Sequence, residues 1–140
     1  PKQENGLMWG FQLWVNLPRA SKMIPPNYQD IPPEKIPVVH EDGIDDVISF
    51  LLQIESVSPH IYFVLIKKVK VIAGSYHGTT GPVQDVGGGV NPIYFDVTIA
   101  PGKTFTFAFP ESHNVFAYLF DGKATFGDQT YSASRLIGAI

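Results

Sequence analysis

The sequence contains no cysteine and few charged residues. Without Cys among its 140 residues, the chain cannot form a disulfide scaffold, a thiolate zinc site or a cysteine nucleophile. Charged side chains make up only 16% of the composition, and 10 Lys plus Arg against 13 Asp plus Glu give a formal net charge of −3. Because binding to a phosphate backbone depends on clustered Lys and Arg, this composition argues against direct nucleic-acid binding.

Motifs of common active centres are also missing. There is no His-x-His pair, through which alternate residues of a strand converge on a metal ion. The glycine triplet at residues 87–89 lacks the Gly-Lys-Ser/Thr ending of a phosphate-binding loop and is predicted to be a flexible turn. No Gly-x-Ser-x-Gly nucleophile elbow occurs either. The residues alone therefore predict a small soluble β domain without a visible active centre.

Four histidines remain as candidate metal ligands: His40, His60, His77 and His113. Glu111 and His113 would share a face on a strand, but a neighbouring proline favours a turn and a histidine on a loop. His40 precedes an acidic turn predicted at residues 41–43, where a solvated charge cluster is expected. Residues 74–92 are predicted to form a long Gly-rich loop, in which His77 has no fixed partner, so no metal ligand is assigned.

Glycine, proline and aromatic residues are abundant. The chain has 13 Gly, 12 Pro and 13% aromatic residues, a composition that favours short strands and many turns over long helices. Alternation of apolar side chains predicts strands at residues 7–17, 69–74, 93–99, 115–120 and 123–126. The last two are expected to pair as a hairpin about an Asp-Gly turn at residues 121–122. Short strands at this spacing predict an all-β sandwich or barrel.

A phenylalanine stripe and two irregular segments complete the pattern. Phe105, Phe107 and Phe109 are expected to share one face and to pack in a core rather than to form a ligand cage. Residues 18–43 contain six prolines, which predicts a stiff, extended connector. Residues 47–66 are apolar but interrupted near the middle, so they are interpreted as a short helix and a strand rather than as a membrane-spanning helix.

Several stretches of the chain resemble the pirin family. Residues 10–17, Gly-Phe-Gln-Leu-Trp-Val-Asn-Leu, are similar to a signature strand of the family, in wording closest to its plant members. Residues 22–29, Lys-Met-Ile-Pro-Pro-Asn-Tyr-Gln, resemble the segment that follows that strand. Residues 69–74, 78–82, 92–96 and 101–127 resemble the strands and hairpins of the family's second half.

The family fold is a bicupin, in which two β-barrel domains pack together. The resemblance therefore implies an all-β, cupin-type barrel or sandwich that contains the end of the N-terminal cupin and part of the C-terminal cupin. Residues 1–18 would be the terminal strand of the first cupin, 19–43 a Pro-rich interdomain strap and 69–140 a partial second cupin. Residues 44–68 depart from the family pattern as an atypical apolar insert, either lineage-specific or translated from non-coding sequence.

The resemblance also concerns metal binding. The family's iron ligands are three His and one Glu of the first cupin, and they align before residue 1, so none is carried over to this chain. At the corresponding place in the second cupin the sequence has Phe107, Ala108 and Phe109, which agrees with a metal-free site. We therefore expect no catalytic, cofactor-binding or metal-binding residue here, although full-length relatives hold Fe²⁺.

Three functional interpretations follow from the resemblance. Full-length pirins act in the nucleus and cytoplasm as iron-binding transcription cofactors, and some relatives show quercetin 2,3-dioxygenase activity. A dioxygenase needs iron held by His and carboxylate side chains, so an interaction protein is favoured, with a protein partner, no direct nucleic acid and no membrane. A missing first cupin is expected to pack on the chain. The third interpretation is a non-functional, aggregation-prone fragment. No secretory-signal pattern opens the chain, so a nuclear or cytoplasmic location is expected.

Overall fold

The computed structural model of the protein describes residues 10–42, 65–84, 87–133 and 135–138. Along these residues the regular secondary structure consists of β-strands and two single-turn 3₁₀ helices, which confirms the prediction of an all-β fold. The strands are β1 (Val38–Asp42), β2 (Leu65–Ala73), β3 (Ser75–Tyr76), β4 (Thr79–Thr80), β5 (Tyr94–Ile99), β6 (Phe116–Leu119), β7 (Lys123–Phe126), β8 (Gln129–Ser132) and β9 (Arg135–Gly138). The chain divides into two units, Pro1–Thr104 and Phe105–Ile140, which are described separately below.

The first unit is built on a three-stranded antiparallel sheet in the order β1-β2-β5. On the central strand, Val69, Val71 and Ala73 are at most 2% exposed, and lysines occupy alternate positions on the other face. Burial of each valine contributes about 1.5–3 kcal/mol, so these residues form the core face of the sheet. The predicted strand at 69–74 is confirmed, but it begins at Leu65 because the preceding residues continue the pairing with β1 and β5.

A short hairpin, β3–β4, follows the central strand. His77 and Gly78 have φ values of 46° and 79°, and both values must be positive in a two-residue type I′ turn. This hairpin lies within residues 74–92, for which the sequence predicted a long loop. That prediction is wrong for residues 75–80, because the His-Gly turn lacks the Asn or Asp that commonly marks such hairpins.

Gly81 connects this hairpin back to the sheet at a place without room for a side chain. Its N–H donates to the carbonyl oxygen of Gly74 at 2.8 Å, and a Cβ at this position would lie 2.6 Å from the carbonyl carbon of Ile72. Since Ile72 belongs to β2, the close approach fixes the hairpin against the sheet. It thereby places Tyr76, which is only 2% exposed, over the core face.

The second unit contains one long interrupted hairpin. Strand β6 pairs with β9, and β7 pairs with β8. The N–H of Ala133 donates to the carbonyl oxygen of Gly122 at 2.9 Å, which continues the ladder between the two paired segments. The predicted strands at 115–120 and 123–126 are confirmed, but the hairpin expected between them is wrong. Gly122, with a φ of 76°, bends one arm, and the chain reverses at Gly127 and Asp128 instead.

Residues 10–37 form no strand, although residues 7–17 alternate as a strand would. No described strand pairs with residues 10–17, so the alternating pattern has no ladder to join and the strand prediction is wrong for this part. The connector that follows is irregular apart from the 3₁₀ helices Arg19–Ser21 and Pro33–Lys35. The turn predicted at 41–43 is also wrong for its first two residues, which belong to β1.

Two further predictions have separate outcomes. Residues 105–109 lie outside the strands, yet Phe105 and Phe107 are half-buried between exposed neighbours, and the Phe107 and Phe109 rings meet edge to face at 4.8 Å. Phe109 is 37% exposed and none of the three phenylalanines is buried, so the expected packing of the stripe in a core is wrong. Most of the apolar segment 47–66, with its predicted helix, lies outside the described residues. Along the part of the chain that is described, no helix has the length and apolarity needed to cross a bilayer.

Candidate functional site

A set of polar side chains lies at one end of the core face of the three-stranded sheet. Glu41 of β1 and Lys67 of β2 are directly opposite in the strand register. The Lys67 ammonium Nζ donates to Oε2 of the Glu41 carboxylate at 2.5 Å. The Lys67 side chain is 20% exposed and that of Glu41 is 25% exposed, so this ion pair is shielded from water more than an ordinary surface pair.

Tyr76 completes this polar group from above the sheet. Its hydroxyl donates a hydrogen bond to Oε1 of Glu41, so each carboxylate oxygen accepts one donor. The Tyr76 ring packs edge to face against Phe95 at 5.7 Å and stacks on the His77 ring at 4.3 Å. We call Glu41, Lys67 and Tyr76 the carboxylate cluster. The hairpin β3–β4 positions its phenol, and the pairing of β1 with β2 positions its two charges.

The ionisation of the carboxylate cluster follows from these contacts. Hydrogen bonds from Lys67 and then from Tyr76 lower the pKa of Glu41, which outweighs the opposing effect of burial. Burial, and next the hydrogen bond to the Glu41 carboxylate, raise the pKa of Tyr76 to about 12. At neutral pH the cluster therefore holds an ionised carboxylate and a neutral phenol, and neither group is suited to exchange protons there. Its chemistry is that of a structural polar network.

A second ion pair lies on the opposite face of the sheet. Lys70 Nζ and Asp96 Oδ2 are 2.8 Å apart, and their side chains are 43% and 28% exposed. His40 belongs to β1, opposite Lys68, and is exposed on this strand. These groups are partly or fully exposed to solvent.

The three candidate histidines that the structure describes, His40, His77 and His113, form no common site. His77 occupies the β3–β4 turn, and exposed His113 lies in a turn where its N–H donates to the carbonyl oxygen of Pro110 at 2.9 Å. Glu111 is exposed in the same turn, as the loop interpretation predicted, and His60 lies outside the described residues. Among the described residues, no three His, Asp or Glu side chains lie close enough to hold a metal ion. This donor set does not fit an iron centre.

An open groove of about 400 Å³ lies on the irregular N-terminal segment. It is lined by Val15, Leu17, Lys22, Ile24, Pro25, Pro26 and Asn27. Lys22 Nζ donates to Oδ1 of Asn16 at 3.0 Å, which ties the two sides of this segment together. The groove thus consists of the two stretches that carry the resemblance to pirins.

Sequence reasoning missed the carboxylate cluster. Glu41 lies 26 residues from Lys67 and 35 residues from Tyr76 along the chain, so no local spacing links them. One signal was present: Lys67 interrupts an apolar face at period two, and a lysine at such a position needs an anionic partner. The identity of that partner depends on strand register, which the sequence did not fix.

Comparisons with known proteins give the family. No family model and no solved structure matches the chain. It is 35% identical over 134 residues to a pirin-like protein of Caulobacter vibrioides, covering 95% of this chain and 40% of the relative. It is 32% identical over 129 residues to a "putative quercetin 2,3-dioxygenase" of Pseudomonas aeruginosa, covering 89% and 37%.

A plant relative gives the same result. Pirin-1 of Arabidopsis thaliana is 31% identical over 125 residues, which cover 89% of this chain and 34% of Pirin-1. The chain thus spans well under half the length of the curated relatives that it matches. The antiparallel sheets agree with a partial cupin-type domain. Because pirins and pirin-like proteins of bacteria and plants match most of its length, the chain belongs to the pirin family.

Proposed function

We propose that the chain acts as a pirin-type interaction protein, and that its first partner is the N-terminal cupin domain implied by the family. The observation that carries this proposal is a run of exposed apolar side chains on the signature stretches. Trp14 is 84% exposed, Tyr28 is 87% exposed and Met23 is 94% exposed. Several large apolar side chains exposed on one segment are typical of a protein interface.

The chemistry of this surface favours a protein as the partner. Phe11, Leu13 and Val15 are about half-exposed and alternate along the chain with neighbours that include Trp14, so the stretch offers an aromatic anchor and a row of further apolar groups. The alternating sequence of residues 10–17 can also donate and accept backbone hydrogen bonds as an added strand, a common way for a sheet edge to bind an extended segment. The edge of a cupin sheet would provide apolar side chains to contact the aromatic anchor and backbone groups to pair with the added strand.

At the level of the cell, the proposed role is that of the family. A nuclear or cytoplasmic protein that contacts a transcription-factor complex would use the second cupin as a binding surface. The support for this role is the resemblance to pirins. The composition adds that such binding would go through protein rather than DNA, because the net charge is −3.

A second candidate is an iron-dependent quercetin 2,3-dioxygenase. The name of the Pseudomonas aeruginosa relative supports it. Iron of this kind would polarise the flavonol and O₂ from a site of His and carboxylate ligands. The described residues offer no such set, so for this chain we place the dioxygenase second.

The interaction proposal is tested by titrating the purified chain with the portion of Arabidopsis Pirin-1 that the chain does not match, produced separately. We expect saturable binding by calorimetry, and Trp14→Ser is expected to weaken it about tenfold or more, as for a central aromatic anchor. Phe116→Ser is the control, since Phe116 is 54% exposed in the other unit. Absence of binding, or equal affinities for all three proteins, would contradict the proposal.

The enzyme alternative has its own readout. Metal analysis of the purified chain is expected to find no stoichiometric iron, and quercetin is expected to cause no oxygen uptake. One tightly bound iron per chain together with quercetin-dependent uptake would replace the interaction proposal with the dioxygenase.

A further inference from the structure

The glycine triplet in the loop between β4 and β5 has two members in tight contact with the strap. Gly87, Gly88 and Gly89 all have positive φ, with values of 99°, 64° and 73°. A Cβ at Gly87 would lie 2.6 Å from Cδ1 of Ile24, and a Cβ at Gly88 would lie 2.4 Å from Cβ of Ser21. A Cβ at Gly89 would meet nothing within 4 Å. Ile24 Cδ1 is the end of a flexible, exposed side chain that can move aside, whereas Ser21 Cβ is the stem of its side chain and cannot. Gly88 therefore has a steric requirement that Gly89 does not share.

The burial of Ser21 in the strap also indicates a close contact with the glycine loop. Ser21 is half-buried, whereas its neighbours at 18–20 and 22–30 are all exposed. Its position is fixed by a 3₁₀ turn in which the Ser21 N–H donates to the carbonyl oxygen of Pro18 at 2.9 Å. The Ile24 N–H donates in turn to the carbonyl oxygen of Ser21 at 3.3 Å. A preformed turn of the strap thus lies directly on the glycine backbone.

Flexibility alone does not account for these glycines. The sequence explained the triplet as a flexible turn, and positive φ is a sufficient reason for glycine at all three positions. At Gly87 and Gly88, however, the space that a side chain would fill is occupied by Ile24 and Ser21. Close approach of one backbone segment to another is the second reason for which proteins use glycine.

We propose that Gly88 forms a seat for Ser21, beside the contact of Gly87 with the Ile24 side chain, and that this latch holds the Pro-rich strap against residues 87–88 of the β4–β5 loop. The strap is suited to such a device. Its prolines restrict the unlatched chain, so few contacts suffice to order it. The latch also sets one wall of the groove, because Ile24 lines that groove directly.

The latch has a functional consequence that is separate from its existence. The exposed side chains through which we propose partner binding flank the seated Ser21 along the chain. Opening the latch would change how Trp14 and Met23 are presented together. This consequence rests on the proposed function, whereas the latch itself is tested without any partner.

Trypsin measures opening of the latch, since Arg19 and Lys22 border the seated Ser21. Limited proteolysis follows the population of locally opened chains, and we expect Gly88→Ala to speed cleavage after Arg19 and Lys22 about tenfold. Gly89→Ala is the matched control, because it has the same positive φ but open space, and it should leave these rates unchanged. Cleavage after Lys103 and Lys123 reports whether the rest of the chain is intact.

A compensating substitution gives the decisive comparison. Ser21→Gly removes the atoms that a Cβ at residue 88 would meet, so the Ser21→Gly, Gly88→Ala double variant should be cut at the rate of Ser21→Gly alone. Should Gly88→Ala fail to fold, Ser21→Leu enlarges the same contact from the exposed strap and should give the same acceleration. Equal strap cleavage in Gly88→Ala and Gly89→Ala, or a double variant cut as fast as Gly88→Ala, would overturn the latch. Loss of partner binding with an intact latch would instead count against the proposed function.

Discussion

Glu41 accepts two donors, and its replacement tests the carboxylate cluster at the scale of single residues. Glu41→Gln keeps the shape of the side chain but removes the charge that Lys67 and Tyr76 face, so we expect a loss of about 1 kcal/mol in the free energy of unfolding at neutral pH. Urea denaturation measures this loss. Asp96→Asn breaks the more exposed pair with Lys70 and is expected to cost less, about 0.5 kcal/mol or under.

Acid should remove the contribution of Glu41. Its pKa is lowered in the folded chain from an ordinary value of 4.5, so the stabilisation is present above that value and is lost as the pH falls through the lowered pKa. The difference in stability between wild type and Glu41→Gln should therefore shrink towards zero in acid. A constant difference from neutral to acidic pH would show that packing, not charge, is responsible.

Tyr76 gives the opposite dependence at alkaline pH. Its pKa is raised from 10.0 to about 12, so its contribution is complete below pH 10 and is lost as the pH rises through 12. Tyr76→Phe should lack this alkaline loss, and the absorbance of ionised phenol should show one fewer late-titrating tyrosine in the variant. Identical alkaline titrations of the two proteins would contradict the buried position of Tyr76 and its hydrogen bond to Glu41.

At the scale of elements, the long hairpin of the second unit makes a prediction about pairing. Thr125 and Thr130 are opposite in register, and their hydroxyl oxygens are 3.0 Å apart. Because the chain has no cysteine, a Thr125→Cys, Thr130→Cys variant is expected to form its disulfide readily on mild oxidation, observed by mass spectrometry. The Tyr118→Cys, Thr125→Cys variant is the control. It would cross-link instead if the strands on either side of Asp121 and Gly122 paired as the sequence predicted.

Sequence patterns identified strands where the signal lay within one strand. They failed where the strand or turn depended on pairing with residues distant along the chain. The alternation around Val69 and Val71 placed β2, since buried and exposed positions alternate within one strand. The same kind of alternation misassigned residues 10–17, because a strand also needs a neighbour. The Asp-Gly pair at 121–122 is a strong turn signal, but whether its flanks pair depends on residues far along the chain.

The candidate site was predictable to a similar extent. Lys67 on an apolar face indicated that a charged partner was needed, but the choice of Glu41 follows from the β1–β2 register. Tyr76 reaches the cluster because of the β3–β4 hairpin, which the sequence of residues 74–92 did not predict. The absence of a His-x-His pair, in contrast, is a direct property of the sequence.

At the scale of the whole molecule, the exposed signature surface has a spectroscopic consequence. Trp14 is 84% exposed, so in a Trp9→Phe background its fluorescence should have the emission of indole in water and be quenched by iodide nearly as well as free tryptophan. Binding of the proposed cupin partner should shift the emission to shorter wavelength and protect it from iodide. Shielded, blue-shifted emission from the chain alone would show that this surface is already covered, for example by a second copy.

The single reversal at Gly127 and Asp128 imposes an order of assembly on the long hairpin. The smallest loop closes at the lowest entropic cost, so pairing begins next to this turn. β-hairpins form in about 1–10 μs, and pairing then extends from β7 and β8 to β6 and β9. Substitutions that disfavour the left-handed conformation of Gly127 should then slow folding, whereas substitutions of Ile137, which is 7% exposed in β9, should mainly accelerate unfolding. The turn at Gly127 and Asp128 therefore controls the folding rate of the hairpin, and the pairing of β6 with β9 controls its unfolding rate.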